Sequence, residues 1–182
     1  MDGMNYLIAG GLLLCVLGWL VSAYQRMLQL RENAVRFWMQ IEREVKHRHD
    51  MLIELLGNAV VDFPLVGQEM SKVMSVNDSC MALLQQTPLM DNSREMENFV
   101  RQEKELSVVM ENLFAVCEQH PEWKVGEHLP RLKREYGVSR HQLARLHHSY
   151  NVAVCVYNDT IHAFPSAIVA RAFHFSEASL CE

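Results

Sequence analysis

The sequence predicts an all-α protein: an N-terminal transmembrane helix that continues into an elongated antiparallel four-helix bundle. Three observations carry this expectation. Tyr6 to Ala23 reads YLIAGGLLLCVLGWLVSA, without a charged residue; as a helix it spans roughly 27 Å, close to the apolar thickness of a bilayer. The chain that follows is charged, poor in glycine over long stretches, and repeats apolar residues at intervals of three and four, the period of a helix with one buried face. No stretch alternates apolar and polar residues for long enough to build a sheet. The organisation expected is a short extracytoplasmic N-terminus (1–5), an anchor (6–24), a cytoplasmic bundle (25–165) and an apolar C-terminal tail (166–182).

The anchor segment reads as a signal anchor. A cleavable signal peptide wants Lys or Arg at its start, where only Asp2 stands, although Val21-Ser22-Ala23 resembles a cleavage site. A lipoprotein would need a small residue before Cys15, and Leu14 is there. Tyr6, Trp19 and Tyr24 sit near its ends, where amphipathic rings favour the interface. No Lys or Arg precedes the segment, while Arg26, Arg31, Arg36, Arg43, Lys46 and Arg48 follow it. The positive-inside bias then keeps the C-terminal side in the cytoplasm. Gly11, Cys15, Gly18 and Ser22 form a small-residue stripe that could pair two anchors into a homo-oligomer, or be ordinary glycine content.

The first helix is expected to continue to about Val61. Its seam is Met27, Arg31, Ala34, Trp38, Ile41, Val45, Arg48, Leu52, Leu55 and Ala59. Asp62-Phe63-Pro64 breaks it, because proline cannot continue a helix without a kink. A second helix, about Leu65 to Gln86, carries Val66, Val73, Val76, Cys80 and Leu83 on one side and ends at Thr87-Pro88. Asp91-Asn92-Ser93 offers capping oxygens to a third, about Arg94 to Gln119. Its seam is Met96, Phe99, Glu103, Leu106, Met110, Leu113 and Cys117. His120 to Gly126 is a turn. The fourth helix, about Pro130 to Ala163, has the seam Leu132, Tyr136, Ser139, Leu143, Leu146, Tyr150, Ala153, Tyr157, Thr160 and Phe164, and Phe164-Pro165 ends it. Four apolar stripes joined by short turns bury one another best in an up-down arrangement. The tail, with Ile168, Val169, Phe173 and Phe175, either settles in the membrane interface or folds back on the helices.

Composition narrows the function classes. The net charge of −5 leaves no electrostatic footprint for nucleic acid. Five cysteines, an odd number without a CxxC pair, suggest neither a disulfide framework nor a zinc knuckle. There is no glycine-rich phosphate loop and no repeat of 20–50 residues. Nine histidines include His47, His49, His141, His147 and His148, but neither HxxxH nor HExxH occurs, nor a paired Glu-x-x-His motif. No catalytic, cofactor-binding or metal-ligating set is therefore expected. Glu103 is a lone charge in a seam and needs a basic partner, with Arg31 and Arg48 as candidates. Tyr150-Asn151 recurs seven residues on as Tyr157-Asn158, on the same helix face. A structural polar layer joining Arg48 or Asp50 to Tyr150, Asn151, Tyr157 and Asn158 is the simplest account.

Several strings are recognisable. Leu113-Phe114-Ala115-Val116, Pro121-Glu122-Trp123-Lys124, Tyr150-Asn151, Ala153-Val154, Tyr157-Asn158 and Phe164-Pro165, with Ile161, Ala170 and Phe173 in register, resemble the LemA family of bacterial membrane-anchored helical proteins. Tyr24, Trp38, Gln40-Ile41 and Arg48-His49-Asp50 match more loosely. Two departures stand out. Met51-Leu52-Ile53-Glu54 replaces a Pro-containing family string, and His174 stands where the family has glycine. The resemblance implies a single-pass protein of the bacterial inner membrane, N-terminus outside and bundle cytoplasmic, with no established enzymatic activity. It also implies partners among the lipid bilayer and other membrane proteins, a membrane protease included. The function expected is a membrane-anchored, non-catalytic scaffold or adaptor, with Trp123, Phe173 and Phe175 as candidate contact residues. The alternatives are a membrane-linked sensor that repacks with pH or lipid state, and a metal-binding helical enzyme.

Overall fold

The computed structural model describes residues 2–57, 64–86, 89–119 and 128–181. Among them there are helices and no strand: α1 (Asp2–Gly57), α2 (Pro64–Gln86), α3 (Ser93–Gln119), α4 (His128–His162) and α5 (Ser166–Ala172), with a 3-10 turn at Leu89–Asp91. The helix ends follow local chemistry. Pro64 opens α2 at the position where its missing N–H is not needed. Asn92 precedes α3, its carbonyl accepting from the Met96 N–H at 3.0 Å and its side-chain oxygen facing the Glu95 N–H at 3.4 Å. Ala59, Val61, Asp62, Phe63 and the turn from His120 to Gly126, Trp123 included, lie outside the described residues.

Two regimes of exposure divide α1. Leu7, Leu12, Leu13, Leu14, Val16 and Leu17 are open, Leu7 to 79 %. From Leu20 onward the same helix packs into a core, with Met27, Ala34, Ile41, Val45 and Leu52 wholly buried. The first part is long and apolar enough to cross a membrane. The second has the helical stripe read from the sequence, and each fully buried Ile, Leu or Met contributes roughly 1.5–3 kcal/mol.

α1 packs chiefly on α4, and α2 on α3. Arg131 lies 3.9 Å from Glu54, Ser139 donates to Glu44 at 2.8 Å, and the Trp38 and Tyr150 rings are 5.6 Å apart. Numbers fall along α1 as they rise along α4, so the two run in opposite directions. α3 and α4 are also opposed, through Lys133 with Glu118 and Arg140 with Glu111. All of Met96, Phe99, Leu106, Met110, Leu113 and Cys117 are buried, as are Leu132, Tyr136, Ser139, Leu143, Leu146, Tyr150, Ala153 and Tyr157.

The end of α4 departs from the sequence reading. Phe164, expected in the seam, is 84 % exposed. The helix stops at His162, and the chain turns through Ala163–Pro165, where the Phe164–Pro165 peptide is cis. Phe164 therefore no longer follows the helical rotation that would carry it inward. The tail begins as α5, a helix that the sequence reading did not separate from it. His174 follows at φ 56°, the left-handed conformation of a helix terminator, and residues 175–181 run back along α4.

Candidate functional site: a clamped tail and a buried ion pair

The Tyr-Asn pairs of α4 hold this returning tail. Asn158 donates to the Ala178 carbonyl at 2.9 Å and accepts from the Ala178 N–H at 3.0 Å. Asn151 does the same to Cys181, at 2.9 and 2.8 Å. Each carboxamide thus imitates a peptide group in a ladder rung. The hydroxyls of Tyr157 and Tyr150 donate to the carbonyls of Ser176 and Ser179, at 2.8 and 2.7 Å.

The spacing has a geometric cause. Seven helical residues rise roughly 10.5 Å, and three extended residues span roughly 10 Å. A motif repeated every seven residues on a helix therefore meets every third residue of an extended chain laid along it. The pairs 158–178 and 151–181, and 157–176 and 150–179, obey this rule. On its other side the tail is held by Ser179 N–H donating to the Met90 carbonyl at 2.8 Å. Next to Met90, Asp91 takes both of its hydrogen bonds from Arg31, at 3.1 and 3.0 Å. Ala178 and Cys181 are buried, and Phe175 and Leu180 pack on the core. Burial raises the Tyr150 and Tyr157 pKa values and pushes the Cys181 thiol to about 12, so all three stay protonated at neutral pH.

Arg48 belongs to a different constellation. It is 2 % exposed and bonds Glu103 of α3 through both terminal nitrogens, Nη1 at 3.0 Å. Burial disfavours its charge, and the Glu103 carboxylate more than offsets that, so its pKa lies above the ordinary value. Cys80 of α2 lies nearby, its thiol pushed up to about 12, first by burial and then by the Glu103 carboxylate. A cavity of about 240 Å³ adjoins the pair, lined also by Lys104, Ser107, Arg140, His147 and Cys181. Two buried atoms here carry no hydrogen bond, Arg48 Nε and His147 Nε2. Burial lowers the His147 pKa, the net of desolvation and Arg48 against the opposing pull of Glu103.

The six residues expected to form one polar layer therefore fall into separate groups. Tyr150, Asn151, Tyr157 and Asn158 bond the tail, Arg48 bonds Glu103, and Asp50 is exposed on α1. The sequence places the layer between α1 and α4, but the Tyr-Asn polar groups reach the extended tail instead. Of the two candidates for Glu103, Arg48 is the partner, and Arg31 pairs with Asp91. Trp123 lies outside the described residues. Phe173 and Phe175 meet the Tyr24 ring at 4.9 and 5.6 Å between centroids.

The tail's share of the clamp escaped sequence reading because it is main-chain, and main-chain bonding leaves no residue signature. Asn77, wholly buried on α2 and 2.8 Å from His49 Nδ1, was also missed. Its signal was an amide in the apolar stripe between Val73 and Cys80. Among the described residues no group of three His, Cys, Asp or Glu side chains is placed to hold a metal ion. A hollow of about 820 Å³ is an open groove along α2 with Met70, Met74, Ser71 and Ser79 in its wall. Both serine hydroxyls bond carbonyls of their own helix.

Residues 37–182 match the model of the LemA family. The match begins after the apolar segment of α1 and includes the clamp, the ion pair and the tail. No protein with a curated description matches the chain.

Proposed function

Because the chain belongs to the LemA family, we propose that it is a membrane-anchored, non-catalytic scaffold or adaptor that presents a helical body to other membrane proteins. The observation that carries this reading is the continuity of α1. Its open apolar turns pass without a break into turns buried on α4. A rigid helix that is greasy at one end and packed at the other ties a body to a bilayer without a flexible linker. The opposed directions of α1 and α4, and of α3 and α4, support an antiparallel four-helix bundle as that body. The absence of Lys and Arg before the apolar segment, and their abundance after it, support a cytoplasmic body at the bacterial inner membrane. The non-catalytic reading is supported by where the polar side chains go: the Tyr-Asn pairs and Arg48 bond within the fold.

The test is cross-linking of the full-length chain in native membranes, after alkaline carbonate extraction. The chain is expected in the carbonate-resistant pellet, cross-linked through its helical body to the same membrane proteins in repeated preparations. Release into the carbonate supernatant, or a body without protein neighbours, would reject the reading.

His147 favours a second reading, that of a pH-responsive body. Its Nε2 is buried without a hydrogen-bond partner and the residue lines the Arg48–Glu103 cavity, where a proton would add charge beside a buried guanidinium. A spectroscopic signal of helix packing that changes between about pH 7 and pH 5 in the wild type, and not in a His147→Gln variant, would select it over a passive scaffold.

A further inference from the structure

We propose that the corner at α5 is a second membrane contact, a foot that lies in the headgroup–acyl boundary beside the point where α1 leaves the bilayer. It rests on the reading of α1 as an anchor and extends it.

Three features of the geometry converge on this corner. The first is direction. α4 runs beside α1 in the opposite sense, and the chain then bends by 92° into α5. Transmembrane helices stand within roughly 20° of the bilayer normal on average. A helix set across them lies close to the membrane plane. The second is height. Phe173 packs at a tilt against Tyr24 and Phe175 meets the same ring edge-on. Tyr24 directly follows the uncharged segment, so the corner sits at the level where the apolar span ends.

The third is the distribution of side chains. Val169 and Ala170 are buried toward the core, while Phe164 is 84 % exposed and Ile168 and Phe173 are each 57 % exposed. Large apolar side chains gathered at one corner, on a short helix lying across the bundle axis, are the pattern of an interfacial segment. Continuity with the anchor selects lipid as the occupant. The exposed apolar run of α1 that includes Leu17, Trp19 and Val21 reaches to within one turn of Tyr24. Arg26 and Arg171 are exposed on the two elements that meet there, where guanidinium groups can reach phosphate headgroups.

The experiment uses spin labels on the full-length chain in nanodiscs of phosphatidylethanolamine and phosphatidylglycerol. Cys15 and Cys155 are exposed and are replaced by alanine, while Cys80, Cys117 and Cys181 are buried and stay. Single labels are placed by Ile168→Cys, Phe164→Cys, Leu13→Cys and Val138→Cys, all at exposed positions that leave the core untouched. Accessibility to oxygen and to a water-soluble nickel chelate is read at each.

The foot predicts ratios at 168 and 164 shifted from the aqueous value at 138 toward the bilayer value at 13. If 13 reads as bilayer while 168 and 164 both read as 138 does, the foot is wrong and the anchor stands. If 13 also reads as aqueous, the anchor reading falls and the foot falls with it.

Discussion

Asn158 meets Ala178 through both backbone groups of that residue, giving one hydrogen bond and taking another. The relationship makes the carboxamide the rung of a ladder between a helix and an extended segment. Asn158→Leu keeps the volume and removes both bonds, leaving an N–H and a C=O unpaired at a buried position. A loss of about 1–3 kcal/mol is expected, with faster amide exchange at Ala178 and a lower Tm. Asn151→Leu should act likewise at Cys181. Unchanged exchange at both amides would show that the clamp does not hold the tail.

The Arg48–Glu103 pair joins α1 to α3, with side chains 3 % and 11 % exposed. Arg48→Met alone leaves the Glu103 carboxylate without its partner and should cost about 3–5 kcal/mol. The double variant Arg48→Met with Glu103→Leu should recover most of that loss, because two buried charges leave together. Denaturant unfolding of the two variants tests the coupling. A double variant no more stable than the single one would reject it.

His147 sets a pH dependence whose sign follows from burial. Its pKa is lowered below 6.5 in the fold, so the unfolded chain takes up the proton first. Its neutral form is fully compatible with the fold above pH 6.5, and stability is lost as the pH falls below that value. His147→Gln should flatten the stability profile on the acid side relative to the wild type. Parallel profiles for the two chains would remove His147 as the cause.

His174 occupies the left-handed region at φ 56° and is exposed. Only glycine takes this conformation without a steric cost from Cβ. His174→Gly is therefore expected to stabilise the chain by about 0.5–1 kcal/mol, the strain relief being partly offset by the freer unfolded state. A lower Tm would contradict the backbone argument.

Gly137 presents the opposite case, inside α4. A Cβ built there meets nothing within 4 Å. Gly137→Ala should stabilise by about 0.5–1 kcal/mol through helix propensity and a less disordered unfolded chain. Thermal unfolding measures it directly, and a destabilised variant would mean that the space beside Gly137 is filled.

By itself the sequence determined the helices, their buried faces and the apolar start of α1. Heptad-spaced residues such as Ile41, Val45, Leu106 and Leu146 announce which side of a helix leaves water, because 3.6 residues per turn bring them to one face whatever the partner. It also marked Glu103 as a charge in need of a base, and Arg48 as one of two that could serve. Tertiary structure alone decided which base arrived, because a seam names a face and not the residue across from it. The same holds for Tyr150, Asn151, Tyr157 and Asn158. Their spacing was plain, but their partners are main-chain groups of residues 176–181, brought alongside α4 by a turn at 163–165 and a left-handed residue at 174. Local periodicity carries no information about such a return, since it depends on long-range contacts that form only once α1, α4 and α5 have met.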